Sequence, residues 1–377
     1  MKKLVVISSA PLVFIKEEWF LYSPYEKEMQ LWAKHSYSIQ FCCPIWDETR
    51  NLLVTKVSFS TEKPIELKEF DIKSIKGIFK AISSSLFNIQ QIYKTFKKAD
   101  HIHLRCPGNV ALLACFVQIL FPNKTKTAKY AGNWDPNSRQ PWSYRLQKWI
   151  LSNTFLTKNM QVLVYGEWPN QTKNIKPFFT ATYSEEEIKN SEFRVQNLED
   201  TDIIKFLFVG TLVKGKQPLY ALKLIHKLIL KEYKVTIDFY GEGNQREILN
   251  NYIVSNNLQN NAVLKGNQTK EVVKKAYRTS HFLILPSKSE GWPKAVAEAM
   301  FWGSVPVATP VSCVPYMVDF GNRGVLLKEN LEKDTTSILQ LINNPSAYEL
   351  KSAAAQKWSQ QFTTDVFEKE IQKLLKA

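Results

Sequence analysis

Short apolar runs and longer amphipathic segments alternate along the whole chain. In the first half, each apolar run is about as long as one strand and ends in polar or turn-forming residues, which is typical of buried parallel strands. We predict such strands at residues 4–8, 38–42, 101–105, 127–131 and 161–165. The longest apolar stretch, residues 110–121, is shorter than the roughly 20 residues that cross a bilayer, so it predicts a core helix. This alternation predicts an α/β fold with parallel sheets.

The second half repeats the same alternation. Strands are predicted at residues 203–209, 263–266, 281–286 and 305–308, with a strand, turn and helix start over residues 235–249. A polar, irregular segment at about residues 170–202 is the predicted linker. With 377 residues the chain can form two domains, which we place at residues 1–195 and 203–350. Residues 351–377 form a predicted C-terminal helix, whose apolar positions are Trp358, Phe362, Phe367, Ile371 and Leu374.

Two acids bracket seven residues in the stretch SKSEGWPKAVAEAMFWGSVPVAT. Glu290 follows an apolar run and lies at the start of a predicted helix. Glu298 lies within that helix among alanine, valine and methionine, where a charge is rarely buried without a partner. The alternative interpretation is that Glu290 caps the helix and Glu298 is solvated.

The start of this predicted helix suits a diphosphate. Pro293 fits a first helical turn, where its missing N–H costs nothing. Backbone N–H groups at Gly291, Trp292 and Lys294 would then face a ligand from a positive helix end. A nucleoside diphosphate sugar has hydroxyls on both sides of its diphosphate, and carboxylates accept well from paired hydroxyls. The spacing therefore predicts a sugar-nucleotide clamp.

The segment resembles the E-x7-E motif of the retaining glycosyltransferases of family 4, and the flanking EGWPKAVAEAM and VPVAT match as well. The resemblance implies the GT-B fold: two Rossmann-like domains with parallel sheets facing across a cleft, and a C-terminal helix crossing back to the N-terminal domain. It also implies sugar transfer with retention at the anomeric carbon and without a metal ion. Glu290 would orient the donor sugar and Glu298 the ribose.

A second match lies in the run IIKFLFVGTLVKGK, which ends a predicted strand at Gly210. The family's lysine on the leaving diphosphate matches Lys216, and Lys214 is a second candidate. Thr211 stands where the family has arginine, which removes a fixed cation from the phosphate site. Gln217 stands where the family has glycine. The alternative for both lysines is an exposed loop in a lysine-rich protein.

Two further glycines follow predicted strands, Gly241 in GEG and Gly266. Arg246 occupies the place of the third glycine of a dinucleotide fingerprint, so that motif is incomplete. In the family this region lies near the nucleotide base. The resemblance therefore adds Gly241 and Gly266 to the predicted donor site.

On the acceptor side the resemblance is weaker. SSAPLVFIKEEW replaces the family's glycine-rich loop, and KYAGNWDP lacks the histidine that the family often places near the sugar. We predict that Asn133 or Asp135 serves instead, with Arg105 and Asn109 at the neighbouring strand end. Asn and Asp also occur in such loops for structural reasons, and this alternative stays open.

Cysteine usage and the first residues bear on compartment. Cysteines at positions 42, 43, 106, 115 and 313 form no C-x-x-C pair and no zinc-ligand spacing, which predicts reduced thiols and no metal site. The start resembles a signal peptide, but Ser8, Ser9 and Pro11 interrupt its apolar run. The D-x-D formed by Asp200, Thr201 and Asp202 precedes a strand, whereas a metal-binding D-x-D follows one. We predict a cytoplasmic protein, with a peripheral position on the inner face of the membrane as an alternative.

A net charge of +15 suggests an anionic partner. We see no nucleic-acid recognition motif and expect no nucleic acid. An anionic membrane surface is the alternative, because residues 67–98 combine apolar positions at helical spacing with lysines, and residues 124–129 add a second basic stretch. The positions are Ile75, Ile78, Phe79, Ile82, Leu86 and Ile89, with Lys73, Lys76, Lys80, Lys94, Lys97 and Lys98. A core-facing helix with a solvated basic face would give the same pattern.

The resemblance to this family implies a hexosyltransferase that uses a nucleoside diphosphate sugar as co-substrate, needs no cofactor, and acts on a glycan or lipid-linked acceptor in surface polysaccharide synthesis. Two alternatives remain. A sugar-nucleotide epimerase of the same fold would share the donor clamp but needs an acid/base pair that we cannot place. A non-catalytic basic protein that binds membranes or nucleic acid would not need the two glutamates and the lysine.

Overall fold

A computed structural model of the chain describes residues 2–50, 52–70, 75–189, 198–199 and 201–376, and in residues 75–80 it describes the backbone alone. The chain divides into two compact units, Met1–Phe178 with Phe367–Ala377, and Phe179–Val366. The boundary at Phe178 lies within the predicted linker. Asp200 of the D-x-D lies outside the described residues.

The first unit is built on a parallel sheet of seven strands. In chain order the strands of this unit are β1 (Lys3–Ser8), β2 (Leu12–Ile15), β3 (Glu18–Tyr22), β4 (Ser38–Cys43), β5 (Ile45–Trp46), β6 (Val54–Lys56), β7 (Ile65–Glu66), β8 (His101–Cys106), β9 (Thr125–Tyr130), β10 (Met160–Tyr165) and β11 (Ile175–Phe178). The large sheet has the order β11-β10-β9-β8-β1-β4-β7. Its five longest strands coincide with the five predicted ones to within two residues at each end. Both faces of this sheet are buried, and β1 and β10 are nearly continuous apolar runs, whereas β9 contains two lysines.

The helices of the first unit are α1 (Ser23–Lys34), α2 (Ile75–Lys98), α3 (Asn109–Val117), a 3₁₀ turn (Gln118–Leu120) and α4 (Trp142–Leu151). Helices α2, α3 and α4 pack side by side over one face of the large sheet. Their core includes Ile92, Phe96, Ala114 and Ile150. Successive strand residues point to opposite faces, so the other face is covered separately, by α1 and by the C-terminal residues from Phe367 onward.

The segment after β1 forms a β-hairpin rather than a loop. Strands β2 and β3 pair antiparallel and, with β5 and β6, make a small sheet of order β5-β2-β3-β6. The turn residues Lys16 and Glu17 have φ values of 50° and 63°. The replacement of the family's glycine-rich loop by SSAPLVFIKEEW therefore has a structural consequence, an added sheet at the end of β1.

The second unit is a smaller parallel sheet with helices around it. Its strands are β12 (Ile204–Val209), β13 (Val235–Tyr240), β14 (Ala262–Gly266), β15 (Phe282–Leu285), β16 (Val305–Ala308) and β17 (Val325–Leu326), in the order β14-β13-β12-β15-β16-β17. Its helices are α5 (Glu185–Lys189), α6 (Pro218–Ile229), α7 (Arg246–Ser255), α8 (Lys270–Thr279), α9 (Lys294–Phe301), α10 (Val314–Met317), α11 (Leu331–Ile342) and α12 (Pro345–Ser359), with 3₁₀ turns at Lys214–Lys216 and Asp319–Gly321. Both sheets are Rossmann-like, as predicted.

The C-terminal part consists of two helices rather than one continuous helix. Helix α12 ends at Ser359, and α13 (Thr364–Lys376) follows after a short break. Trp358 and Phe362 pack on Trp292 in the second unit. Phe367 and Ile371 are buried in the first unit, where the ring of Phe367 contacts that of Phe178.

Among the described helices, none combines the length and the apolar character that a bilayer crossing requires. The five cysteines have free thiols and are buried.

Candidate functional site

The strand order of the second unit reverses at β12. This strand pairs in parallel with β13 on one side and with β15 on the other. At such a switch point the loops after the two neighbouring strands diverge, and the crevice between them is where open α/β sheets bind ligands. Here the loops are residues 210–217, after β12, and residues 286–293, after β15. They contain most of the predicted donor-side residues.

Lys216 and Glu290 meet between these two loops. Lys216 Nζ lies 2.5 Å from Glu290 Oε1, and the two side chains are 27% and 8% exposed. The carboxylate is therefore nearly enclosed while the ammonium still reaches solvent. An ammonium group has three N–H donors, so a contact to one carboxylate oxygen leaves donors for a second anion. The arrangement suits a lysine that meets the charge of a bound diphosphate.

Gln217 fixes the loop that carries Lys216. Its backbone has φ 51° and ψ 47°, the left-handed conformation that glycine adopts most readily. Its side-chain amide donates to Pro286 O at 2.7 Å and to Glu329 Oε1 at 2.8 Å. A further bond from Lys288 N to Gly215 O, at 2.8 Å, joins the same two loops. Gln217, at the position where the resembled family has glycine, thus adopts a left-handed conformation and makes two hydrogen bonds that glycine cannot make.

The predicted glycines lie at the ends of three adjacent strands. Gly210 N donates to Tyr240 O, and Gly241 N donates to Gly266 O, each at 2.9 Å. Gly241 has φ 138°, and a Cβ atom there would overlap the carbonyl group of Gly210. Only glycine lets these two strand ends approach so closely. Thr211 and Lys214, also predicted, are exposed in the loop that follows.

Replacement of Gly241 by alanine is expected to destabilise the second unit by about 1–3 kcal/mol, because the new Cβ both strains the backbone and displaces Gly210. Urea unfolding followed by circular dichroism would measure this. Gly215→Ala is the matched control, since a Cβ at Gly215 would have no neighbour within 4 Å. Equal midpoints for the two variants would contradict the close approach.

The loop after β15 is held by its backbone and by one aromatic ring. Gly291 O accepts from Ser312 Oγ at 3.0 Å and from Cys313 Sγ at 3.2 Å. The indole of Trp292 is buried and packs on Trp358, so this ring belongs to the core of the unit. The prediction that Pro293 lies in the first turn of α9 is wrong. Pro293 occupies the N-cap position, and the helix begins at Lys294.

Glu298 lies in a small cavity of its own. Its Oε1 accepts from Thr182 Oγ1 at 2.7 Å, and the cavity is also lined by Tyr183, Trp292 and Lys294. Burial raises the pKa of the Glu298 carboxyl above its ordinary value, although Thr182, Lys294 and Tyr277 oppose the shift. The ionised form of Glu298 is therefore less well hydrated in the folded chain than in water.

The structure brings Lys216 and Glu290 into contact and gives Glu298 a different set of partners. Neither Thr182 nor Tyr277 could be assigned to Glu298 from sequence, because each lies far from it along the chain and outside the motif. The predicted convergence of all three charged groups on one ligand therefore stays a prediction for Glu298.

In the first unit, Arg105 belongs to a charged cluster under α1. Glu28 Oε2 lies 2.9 Å from Lys129 Nζ and 3.3 Å from Arg105 Nη1, and the Arg105 guanidinium stacks over the ring of Tyr25 at 4.1 Å. Burial alone would raise the pKa of Glu28, but Lys129 and Arg105 lower it to about 2. Glu28 and Lys129 were not predicted. The available signal was the presence of two lysines, Lys126 and Lys129, inside the buried strand β9.

The other acceptor-side residues take part in local structure. Asn109 Nδ2 donates to Phe70 O at 3.1 Å. Asn133 Oδ1 accepts from Asp135 N at 2.9 Å, and Asp135 Oδ1 accepts from Asn137 N at 2.8 Å. These are Asx turns, in which the side chain shapes the loop that carries it. An acceptor-binding role for Asn133, Asp135 and Asn109 stays a prediction.

A match to a known protein family lies within the second unit. Residues 189–358 match the family described as glycosyl transferases group 1. The match covers less than half of the chain, so it is a similarity of the second unit to this family. The matched residues include the switch point, the contact between Lys216 and Glu290, and Glu298.

Two curated proteins are similar to this chain. Uncharacterized glycosyltransferase MJ1178 of Methanocaldococcus jannaschii is 28% identical over 158 residues, which cover 42% of this chain and 43% of that protein. The match thus spans less than half the length of this relative. Protein CapJ of Staphylococcus aureus is 25% identical over 335 residues, 81% of each chain.

A solved structure supports the fold of the whole chain. Alr3699/HepE of Anabaena, in complex with UDP, superposes with a TM-score of 0.65 at 14% identity, and the match covers 100% of both chains. At this identity the likeness is one of fold. Together with the two parallel sheets, it identifies the GT-B fold of glycosyltransferases.

Proposed function

We propose that the chain transfers a hexose-type sugar from a nucleoside diphosphate sugar to a glycan or lipid-linked acceptor in surface polysaccharide synthesis. The observation that carries the proposal is the contact of Lys216 with Glu290 at the switch point of a unit that is similar to glycosyl transferases group 1. Support for a uridine nucleotide comes from the fold neighbour HepE, which was solved with UDP.

Sugar transfer is favoured by a cation next to the leaving diphosphate, because the diphosphate gains negative charge as the glycosidic bond breaks. Lys216 supplies one, and its contact with Glu290 holds the ammonium in place before the donor binds. Preorganised donors of this kind commonly contribute about 3 kcal/mol to lowering a barrier. In our proposal the transfer retains the anomeric configuration and needs no metal ion, Glu290 orients the donor sugar, and Glu298 binds the ribose hydroxyls.

Replacement of Glu298 by glutamine tests its role through two opposite effects. Donor affinity is expected to fall about tenfold, because an ionised acceptor for two hydroxyls is lost. Stability without donor is expected to stay equal or to rise at pH 8. The raised pKa means that the ionised carboxylate is disfavoured in the folded state, and this cost disappears as the pH falls below the ordinary range of the group.

The two effects are measured by calorimetric titration with UDP and by thermal unfolding at pH 8 and pH 5. Glu349→Gln, an exposed acid on α12, is the control and should change neither. A variant that binds UDP like the wild type would remove Glu298 from the donor site. A variant that loses stability at pH 8 would instead indicate a purely structural acid.

The function itself is tested by thermal unfolding with a panel of uridine, guanosine and adenosine diphosphate sugars. A matching donor at 100 times its Kd adds about 2.7 kcal/mol of stability. Product analysis with that donor alone then separates transfer and slow hydrolysis from epimerisation. If every sugar nucleotide leaves the unfolding temperature unchanged, the proposed function is wrong.

A further inference from the structure

Helix α2 buries Ile92 and Phe96 but leaves a stripe of other apolar residues exposed. Ile82, Leu86, Ile89 and Tyr93, spaced by three or four residues, are 55%, 66%, 37% and 36% exposed. The face turned towards the protein includes polar Asn88, which is fully buried and bonded to the backbone of Lys68. The core-facing alternative is therefore wrong for Ile82, Leu86 and Ile89. Lys73 and the side chains of Ile75, Lys76, Ile78, Phe79 and Lys80 lie outside the described residues.

The neighbouring helices continue this apolar surface. Phe116 at the end of α3 and Leu120 just after it are 44% and 66% exposed. Trp142 and Trp149, seven residues apart on α4, are 56% and 60% exposed, and Phe155 beyond α4 is 76% exposed. Because α2, α3 and α4 lie side by side over one face of the sheet, these residues and the α2 stripe share the outer face of one helical layer. We call it the α2–α4 surface.

Positive charge is concentrated in the same part of the chain. Residues 72–166 contain 14 lysines and arginines and only two acids, Asp100 and Asp135, so they carry most of the net charge of +15. Lys94, Lys97 and Lys98 on α2, Arg145 on α4 and Lys158 after it are exposed. Lys97 and Lys158 lie over the rings of Tyr93 and Phe155, at 4.9 and 5.3 Å. Cations therefore border the apolar side chains directly.

We propose that the α2–α4 surface docks on an anionic lipid bilayer. Aliphatic side chains enter the boundary between headgroups and acyl chains, aromatic rings lie at headgroup depth, and lysines contact the lipid phosphates. A nucleic acid would satisfy the charge but offers no apolar phase for Ile82, Leu86 and Ile89. Charge complementarity and the aliphatic stripe together select a bilayer. The inference is independent of the proposed function, because it can hold without any sugar transfer.

The test is co-sedimentation of the full chain with vesicles of phosphatidylcholine alone and of phosphatidylcholine mixed with phosphatidylglycerol. The wild type is expected to bind the mixed vesicles and to release them at high salt. The triple substitution Ile82→Ser, Leu86→Ser, Ile89→Ser is expected to weaken binding by at least about tenfold. The matched control is Leu230→Ser, Val254→Ser, Leu350→Ser, at positions 66%, 54% and 74% exposed in the second unit, and it should bind like the wild type.

A charge variant completes the test. Lys94→Gln, Lys97→Gln, Lys98→Gln is expected to weaken binding to the mixed vesicles by about tenfold or more and to flatten its salt dependence. Circular dichroism confirms that each variant is folded. The proposal is overturned if the wild type stays in solution with the mixed vesicles, or if the serine triple binds like the control. It is also overturned if a DNA duplex binds more tightly than the vesicles and the serine triple leaves that binding unchanged.

Discussion

Turnover falls about 100- to 1,000-fold when Lys216 is replaced by alanine: this is the largest effect that we expect on activity. The reason is the position of the ammonium group, 2.5 Å from Glu290 and still partly exposed at the switch point between β12 and β15. The leaving diphosphate gains negative charge as the glycosidic bond breaks, so the interaction strengthens in the transition state. The value of kcat should therefore fall more than KM rises.

Steady-state kinetics with the donor found by thermal unfolding would measure this effect. Lys231→Ala is the control, because Lys231 is an exposed lysine just beyond the C-terminal end of α6, the helix whose N-terminal loop carries Lys216. Two results would contradict the assignment. Unchanged kcat in Lys216→Ala would remove the lysine from the reaction, and a loss of kcat in Lys214→Ala alone would transfer the role to that neighbour.

Lys216→Ala is also expected to cost more stability than Glu290→Gln. It leaves the Glu290 carboxylate, whose side chain is 8% exposed, without its cation. Glu290→Gln instead leaves an ammonium group whose side chain is 27% exposed and still reaches solvent. Urea unfolding of both variants would measure the difference.

The sequence predicted, through the resemblance of two motifs, that Lys216 and Glu290 converge on one ligand. In the structure the two side chains are in contact, because both positions follow neighbouring strands of one parallel sheet and the loops after such strands meet at the same edge. Glu298 was different. Its position in α9 was predictable from the motif, but its partner Thr182 lies at the beginning of the second unit, and no local pattern links the two.

The hairpin of β2 and β3 shows another limit of pattern reading. Its turn places Lys16 and Glu17 at positive φ, where hairpin turns usually have asparagine, aspartate or glycine. The usual turn signal is therefore missing from PLVFIKEEWFLY. Strands β1, β4, β8 and β10, by contrast, are each followed by a polar or turn-forming residue, namely Ser9, Pro44, Pro107 and Gly166. Helix α2 was ambiguous for a third reason, since periodicity alone does not tell which face of a helix is buried.

The second large effect concerns stability. Replacement of Glu28 by glutamine is expected to cost about 3–5 kcal/mol, because Lys129, whose side chain is 1% exposed, would keep its charge without the carboxylate 2.9 Å away. The second substitution Lys129→Met should restore a large part of this loss, since it removes the charge and keeps most of the volume. Urea unfolding would measure both variants. Glu18→Gln, which removes an exposed ion pair with Lys56, is the control and should change stability by less than about 1 kcal/mol.

The pH dependence gives an independent test of the same cluster. In the folded protein the pKa of Glu28 is about 2, against an ordinary value of 4.5. A depressed pKa means that the ionised form is favoured by folding, so its contribution is complete above the ordinary pKa and disappears as the pH falls towards 2. Wild-type stability should therefore decrease over this range by up to about 3 kcal/mol more than that of the double variant. Two results would contradict the proposed stabilising ion pair between Glu28 and Lys129. One is an equal pH dependence of stability in the wild type and the double variant, and the other is a double variant no more stable than Glu28→Gln alone.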